Sequence, residues 1–164
     1  MPSLSCIMTD ITIVSLSGNR KESFMKIEVC SQKKALELVT NAGESISVIS
    51  ITSKEEDDVT FPDNPMLVSI LHLHFNDLTQ EYDEEGIPYG RALPKPEDFA
   101  GLREFVQHLS CNTLIVHCWE GNSRSAAVGT AVYEYRRKTD DLHLQNSARP
   151  NRLVYALACR ELGI

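Results

Sequence analysis

Residues 111–125 read Cys-Asn-Thr-Leu-Ile-Val-His-Cys-Trp-Glu-Gly-Asn-Ser-Arg-Ser, and they hold the densest chemistry of the chain. An apolar run ends at Cys118, a loop with Gly121 follows, and Arg124 and Ser125 open a second, longer apolar stretch. Five residues separate Cys118 from Arg124. That length wraps the backbone once around a tetrahedral oxyanion, with successive N–H groups turned inward and a helix N-terminus closing the ring. Arg124 supplies the planar fork that grips two oxygens of a phosphate, a geometry a lysine ammonium lacks. The same positive field favours the thiolate of Cys118, which would then lie beneath a bound phosphate as a nucleophile aimed at phosphorus. Gly121 gives the tight loop its backbone freedom. The plain alternative is a buried strand-end cysteine beside a surface arginine. It accounts for neither the glycine nor the strand–loop–helix order.

The elements needed to position such a loop are legible around it. Met25–Cys30 is predicted as the first strand of a domain, and Gln32–Val39 as a short helix. Ser45–Thr52 alternates β-branched residues and is predicted as a strand, followed by an acidic, proline-containing loop over 53–65. Met66–Phe75 is the next strand, Glu97–Leu109 an amphipathic helix, and Thr113–His117 a central strand. Ser125–Arg137, apolar on most sides, predicts a buried helix behind the loop, and Pro150–Leu162 a closing helix with Leu153, Ala156, Leu157 and Ala158 inward. Strands alternating with helices imply a single α/β domain. Its central sheet is mostly parallel with helices on both faces, and the site lies at the carboxyl ends of the strands. Residues 25–164 form this domain. Residues 1–24, with an apolar Ile11–Leu16, read as an extension or an extra edge strand.

The loop closely resembles the signature of the cysteine-dependent protein tyrosine phosphatases, His-Cys-x-x-Gly-x-x-Arg-Ser, in its dual-specificity-like form. All fixed positions are present as His117, Cys118, Gly121, Arg124 and Ser125, and the resemblance covers most of residues 66–164. The later Ala-Arg-Pro-Asn-Arg (148–152) resembles the Pro-Asn that opens the last helix in these enzymes, especially in a group of small bacterial predicted tyrosine phosphatases. The resemblance implies that Cys118 forms a cysteinyl-phosphate and that Arg124 binds the phosphate and transition state. It implies that Ser125 helps the thiolate leave, that His117 orients the loop, and that Asn151 buttresses it. Phosphate binding then falls to His117, Trp119, Glu120, Gly121, Asn122, Ser123 and Arg124.

Two-step transfer needs a proton donor for the leaving oxygen. The resemblance places an Asp on a loop upstream of the nucleophile, and Asn76-Asp77-Leu78-Thr79-Gln80-Glu81 matches it, with Asp77 as the acid. The long acidic insert Glu81–Pro96 sets Asp77 farther from Cys118 than is usual, which makes Asp83 the reserve candidate. The long tyrosine-specific domain is excluded by chain length and by the lack of a Trp-Pro-Asp loop.

Composition narrows the classes. A net charge of −7 disfavours nucleic acid or an anionic membrane as a general partner. No apolar run approaches the ~20 residues of a membrane span. Five cysteines without a ladder of spacings argue for a reducing compartment, and the N-terminus lacks a secretory pattern, so the expected location is cytoplasmic. His72 and His74 share a strand face but have no further ligand set, so they read as core or rim histidines, with no metal or cofactor expected. The leading expectation is a metal-independent phosphatase of phosphotyrosine, or of phosphotyrosine and phosphoserine/threonine, acting on a phosphorylated protein or a small phosphomonoester. One alternative is a phosphatase of a non-protein substrate such as an inositol phosphate, disfavoured because the loop carries Glu120 and no lysine. A non-catalytic phospho-binding module is another, and it would require a lesion in Cys118, Arg124 or the acid. A rhodanese-like sulfur transferase fits the His-Cys start poorly.

Overall fold

The computed structural model describes residues 24–136 and 140–164. The expected extension with its Ile11–Leu16 stretch, and the last residue of the predicted Ser125–Arg137 helix, lie outside the described residues. Five parallel strands form one sheet in the order β3-β2-β4-β1-β5, where β1 is Lys26–Ser31, β2 Ile46–Thr52, β3 Leu67–His74, β4 Thr113–Cys118 and β5 Asp141–His143. Four α-helices connect them: α1 (Gln32–Thr40), α2 (Leu102–Gln107), α3 (Arg124–Tyr135) and α4 (Arg152–Leu162). The chain is an α/β domain, as its alternating pattern implies. No described helix is long and apolar enough to cross a membrane.

Period-2 alternation in β4 divides the core. Leu114, Val116 and Cys118 face α2, α3 and α4, together with Ile27, Val29, Ile49 and Ile51. Ile115 faces the other way, toward α1, with Cys30, Val48, Ala35 and Val39. All seven residues of β2 are buried, the signature of an interior strand covered on both sides. Helix α3 lies close on the sheet because residue 129 is glycine: a Cβ there would meet Val29 Cγ2 at 2.5 Å.

The order of strands positions the site. The chain leaves β1 through α1, passes β4 and enters β2. It leaves β4 through α3 in the opposite direction, passes β1 and enters β5. The two helices therefore cover opposite faces, and the ends of β1 and β4 diverge into a crevice, the place where parallel sheets bind ligands.

Three local readings are corrected. Glu97–Leu109 is a 3-10 turn over Pro96–Phe99 and then α2, because Ala100 is extended and Gly101 takes a left-handed φ of 86°. Ala156 is exposed; the buried stripe of α4 is Val154, Ala158 and Leu162, at helical spacing. Strand β5 was not expected, and its pairing with β1 joins Lys26–Glu28 to Asp141–His143.

Candidate active site

Strand β4 ends at Cys118, and the chain turns through residues 119–123 into α3. The carbonyls of three loop residues are bonded outward. Trp119 O accepts from Gln32 N (3.2 Å), Asn122 O from Arg149 N (2.7 Å), and Ser123 O from Asn151 N (3.3 Å) and Ala127 N (3.0 Å). In a trans peptide the following N–H points the opposite way, and no described peptide bond is cis. The amides of residues 120, 123 and 124 therefore face the inside of the loop. Gly121 donates its own N–H to Cys118 Sγ at 3.3 Å. Its φ of 78° belongs to the left-handed region, and a Cβ at this position would lie 2.4 Å from the Cys30 carbonyl carbon. Only glycine lets the loop press against the end of β1.

Cys118 is 3% exposed, with Ser125 Oγ 3.1 Å from its sulfur. The hydroxyl of Ser125, on the first turn of α3, is thus within reach of a sulfur lone pair. Ser123 occupies the N-cap of α3 but makes no cap hydrogen bond; its hydroxyl instead donates to Asp77 Oδ1 at 2.8 Å. The first amides of the helix are left uncapped, where the dipole favours an anion.

Arg124 is 7% exposed. Its Nη1 donates to the Phe75 carbonyl (3.1 Å) and to Ser53 Oγ (3.2 Å), while its buried Nε has no partner among the described residues. One side of the guanidinium is fixed by protein acceptors. The other edge, Nε with Nη2, carries an unmet buried donor, which costs folding free energy unless a ligand takes it up.

His117 lies on the opposite sheet face, fully buried. Its Nδ1 is 3.3 Å from the Cys118 carbonyl and its Nε2 is 2.8 Å from Ser50 Oγ. A carbonyl only accepts, so Nδ1 carries the proton and Nε2 accepts from the Ser50 hydroxyl. Burial lowers the imidazole pKa to about 4; the bond to the Cys118 carbonyl opposes this, and the nearby His72 and Arg124 reinforce it. Phe61 closes over the ring edge-on, with centroids 5.7 Å apart.

Asp77 leaves the end of β3 and meets the loop. Its Oδ1 accepts from Ser123 Oγ and from Asn151 Nδ2, both at 2.8 Å. Asn151 also donates to the Leu78 carbonyl (3.2 Å), and its side-chain oxygen caps α4 through Val154 N (3.1 Å). Asp83 is differently employed. Its Oδ1 accepts from Glu85 N (3.0 Å) and Ile87 N (2.8 Å), closing a turn within the insert.

The remaining loop side chains diverge. Trp119 is 65% exposed and Glu120 is exposed, while Asn122 Oδ1 accepts from Ser147 Oγ at 3.2 Å. His72 and His74 both approach Asp58, at 3.5 and 2.7 Å, and no group of three or more His, Cys, Asp or Glu suited to a metal occurs among the described residues. Sequence reasoning missed Ser50, Ser53 and the Phe75 carbonyl, which hold His117 and Arg124. The two serines lie near the end of a buried strand, and a polar residue in such a run is the signal that points to them.

No family model matches the chain, and no curated protein matches it in sequence.

Proposed function

We propose that the protein is a phosphomonoester hydrolase that works through a cysteinyl-phosphate, with phosphotyrosine in proteins as its principal substrate and phosphoserine or phosphothreonine as further ones. The observation that carries this reading is the pairing of an oriented, buried guanidinium having an unmet donor with a thiol at the base of an amide-lined loop. Such a pairing suits a tetrahedral dianion better than a neutral ligand.

In the first step Cys118 Sγ attacks phosphorus, and the bond from phosphorus to the leaving oxygen breaks. Asp77 gives that oxygen its proton. Arg124 and the inward amides carry the charge on the three equatorial oxygens. In the second step water attacks phosphorus and returns a proton to Asp77, the sulfur–phosphorus bond breaks, and the Ser125 hydroxyl bonds to the departing thiolate. Nucleophile, charge stabiliser and acid are all side chains of this chain, so the chemistry calls on no metal.

The test is a phosphatase assay with phosphotyrosine, phosphothreonine and inositol phosphate substrates, with a chelator present throughout. Turnover of phosphotyrosine that Cys118→Ser abolishes, while the variant still binds phosphate or vanadate, is the expected outcome. Near wild-type rates in Cys118→Ser would rule out the covalent route, and activity on inositol phosphate alone would replace the substrate.

A further inference from the structure

Asn76, the residue before Asp77, is 6% exposed, while residues 77–80 all reach the surface at least in part. Both ends of its amide are matched: Oδ1 accepts from Lys54 N at 3.4 Å, and Nδ2 donates to the Ala92 carbonyl at 3.0 Å. We propose that Asn76 is a positioning residue for the reaction, its side chain fixing the backbone from which Asp77 reaches the leaving oxygen of the substrate. This role rests on the phosphatase reading and extends it to what holds the acid in place.

Local structure leaves the task to a side chain. Strand β3 ends at His74, and the Phe75 N–H still donates to the Thr52 carbonyl at 3.0 Å. Beyond it, Asn76 and Asp77 make no backbone–backbone hydrogen bond among the described residues. Regular structure therefore stops just before the acid. Burying an amide is unfavourable unless its donor and acceptor are both met, and Asn76 meets them with main-chain groups of fixed polarity. A flipped amide would set N–H against N–H and oxygen against oxygen, so the side chain has one orientation. Its two partners belong to different segments. Lys54 follows Ser53, which accepts from Arg124, and Ala92 lies on the return of the insert, 16 residues along the chain. One side chain thus closes the insert at its neck and ties it to the acid.

The bonds from Ser123 and Asn151 do not make Asn76 redundant. Both end on Oδ1 of Asp77, so the carboxylate can still pivot about that oxygen. Where Oδ2 points then depends on the main chain, which Asn76 sets. Arg124 depends on Asn76 less. Its Nη1 keeps the Phe75 carbonyl, and Ser53 is held on its own account, its N–H donating to Glu56 Oε2 at 2.8 Å and its carbonyl accepting from Glu56 N at 3.0 Å. Loss of the amide should therefore impair proton donation more than phosphate binding.

Asn76→Ala tests this on two substrates, a phosphotyrosine peptide and dinitrophenyl phosphate, whose leaving group needs no proton. The variant should lower kcat on the peptide on the order of tenfold, with kcat on dinitrophenyl phosphate and vanadate affinity within about twofold of wild type. In the Asp77→Asn background the same substitution should slow the peptide no further, because acid and support act through one path. Asn64→Ala is the matched control. Asn64 also bridges main-chain groups, donating to the Val39 and Ala42 carbonyls (2.8 and 3.2 Å) and accepting from Met66 N (2.9 Å), but beside the start of β3, away from the site. It should lower Tm yet leave the ratio between the two substrates unchanged. Should Asn76→Ala not fold, Asn76→Asp, which keeps the shape and the Lys54 bond but not the donor to Ala92, is read in the same way. Equal losses on both substrates, an unchanged peptide rate, a comparable further loss in the Asp77→Asn background, or the same altered ratio in Asn64→Ala would each overturn the role and leave the phosphatase reading intact. If wild type turns over neither substrate, the phosphatase reading is what fails. The resonances of the Asn151 side-chain amide, which donates to Asp77, then decide the positioning: their displacement in Asn76→Ala but not in Asn64→Ala supports it, and the same spectrum in both refutes it.

Discussion

Replacing Gly121 with alanine should separate two costs that the structure superimposes at one residue. A left-handed φ costs a non-glycine residue about 1–2 kcal/mol. The added Cβ would also stand 2.4 Å from the Cys30 carbonyl carbon, 2.5 Å from Ser31 N and 2.7 Å from Cys30 O. Carbon contacts settle at roughly 3.5–4.0 Å, so the loop and the end of β1 must part by about 1 Å. Overpacking of that kind costs about 1–3 kcal/mol. Gly86 provides the matched control, because its φ of 80° is nearly the same and nothing lies within 4 Å of its would-be Cβ. Gly86→Ala should incur the conformational cost alone. Gly121→Ala should incur both, about 2–5 kcal/mol, a fall in Tm of roughly 5–20 °C for a chain of this length. The measurement is paired urea and thermal denaturation followed by circular dichroism, with phosphatase turnover of the surviving folded protein. A displacement near 1 Å under the nucleophile should also slow turnover about 100-fold, whereas Gly86→Ala should leave it unaltered. Equal stabilities for the two variants, with normal turnover in Gly121→Ala, would refute the claim that close approach to β1 shapes the loop.

Three further outcomes follow from the site. Arg124→Lys should reduce kcat/KM by at least 100-fold, since a point charge makes neither the paired contact nor both bonds to Ser53 and the Phe75 carbonyl; normal kinetics would remove Arg124 from catalysis. Asp77→Asn should slow phosphotyrosine hydrolysis about 10²–10⁴-fold, yet spare a substrate whose leaving group needs no proton. Leaving-group dependence confined to Asp83→Asn would transfer the role to the insert. His117 should make stability fall with acid: its folded pKa is lowered to about 4 from 6.5, so the unfolded chain binds the extra proton first. The contribution is complete above pH 6.5 and is lost as pH falls towards 4, on the order of 3 kcal/mol in all; parallel stability–pH curves for wild type and His117→Gln would contradict this.

The strand–loop–helix path through Cys118 and Arg124 was legible in sequence because its parts are contiguous. A strand, a glycine and a helix start within fifteen residues leave few ways to fold, and the outward carbonyls follow from that path. Asp77 and Asn151 were each singled out, but their contact spans 74 residues and has no local signal. The acceptor that fixes Arg124 is partly a main-chain carbonyl, which no residue type announces. Strand β5 escaped notice for want of periodicity, with one apolar residue, Leu142, between charged or polar neighbours. The break at Gly101 was hidden because Phe99, Leu102 and Val106 are buried on either side of it, keeping the apolar pattern continuous.

The hydrogen bonds to Asp77 have a stereochemical consequence. Asn151 commits its oxygen to Val154 N, so its amide cannot flip, and its NH₂ group must face Asp77. Ser123 and Asn151 both donate to Oδ1, so a hydrogen placed on that atom would force the Ser123 hydroxyl to turn from donor to acceptor. The arrangement as it stands therefore favours Oδ2 as the oxygen that carries a proton of Asp77. The two oxygens of a symmetric carboxyl have been made inequivalent, which gives any proton transfer to or from this residue a preferred atom and direction.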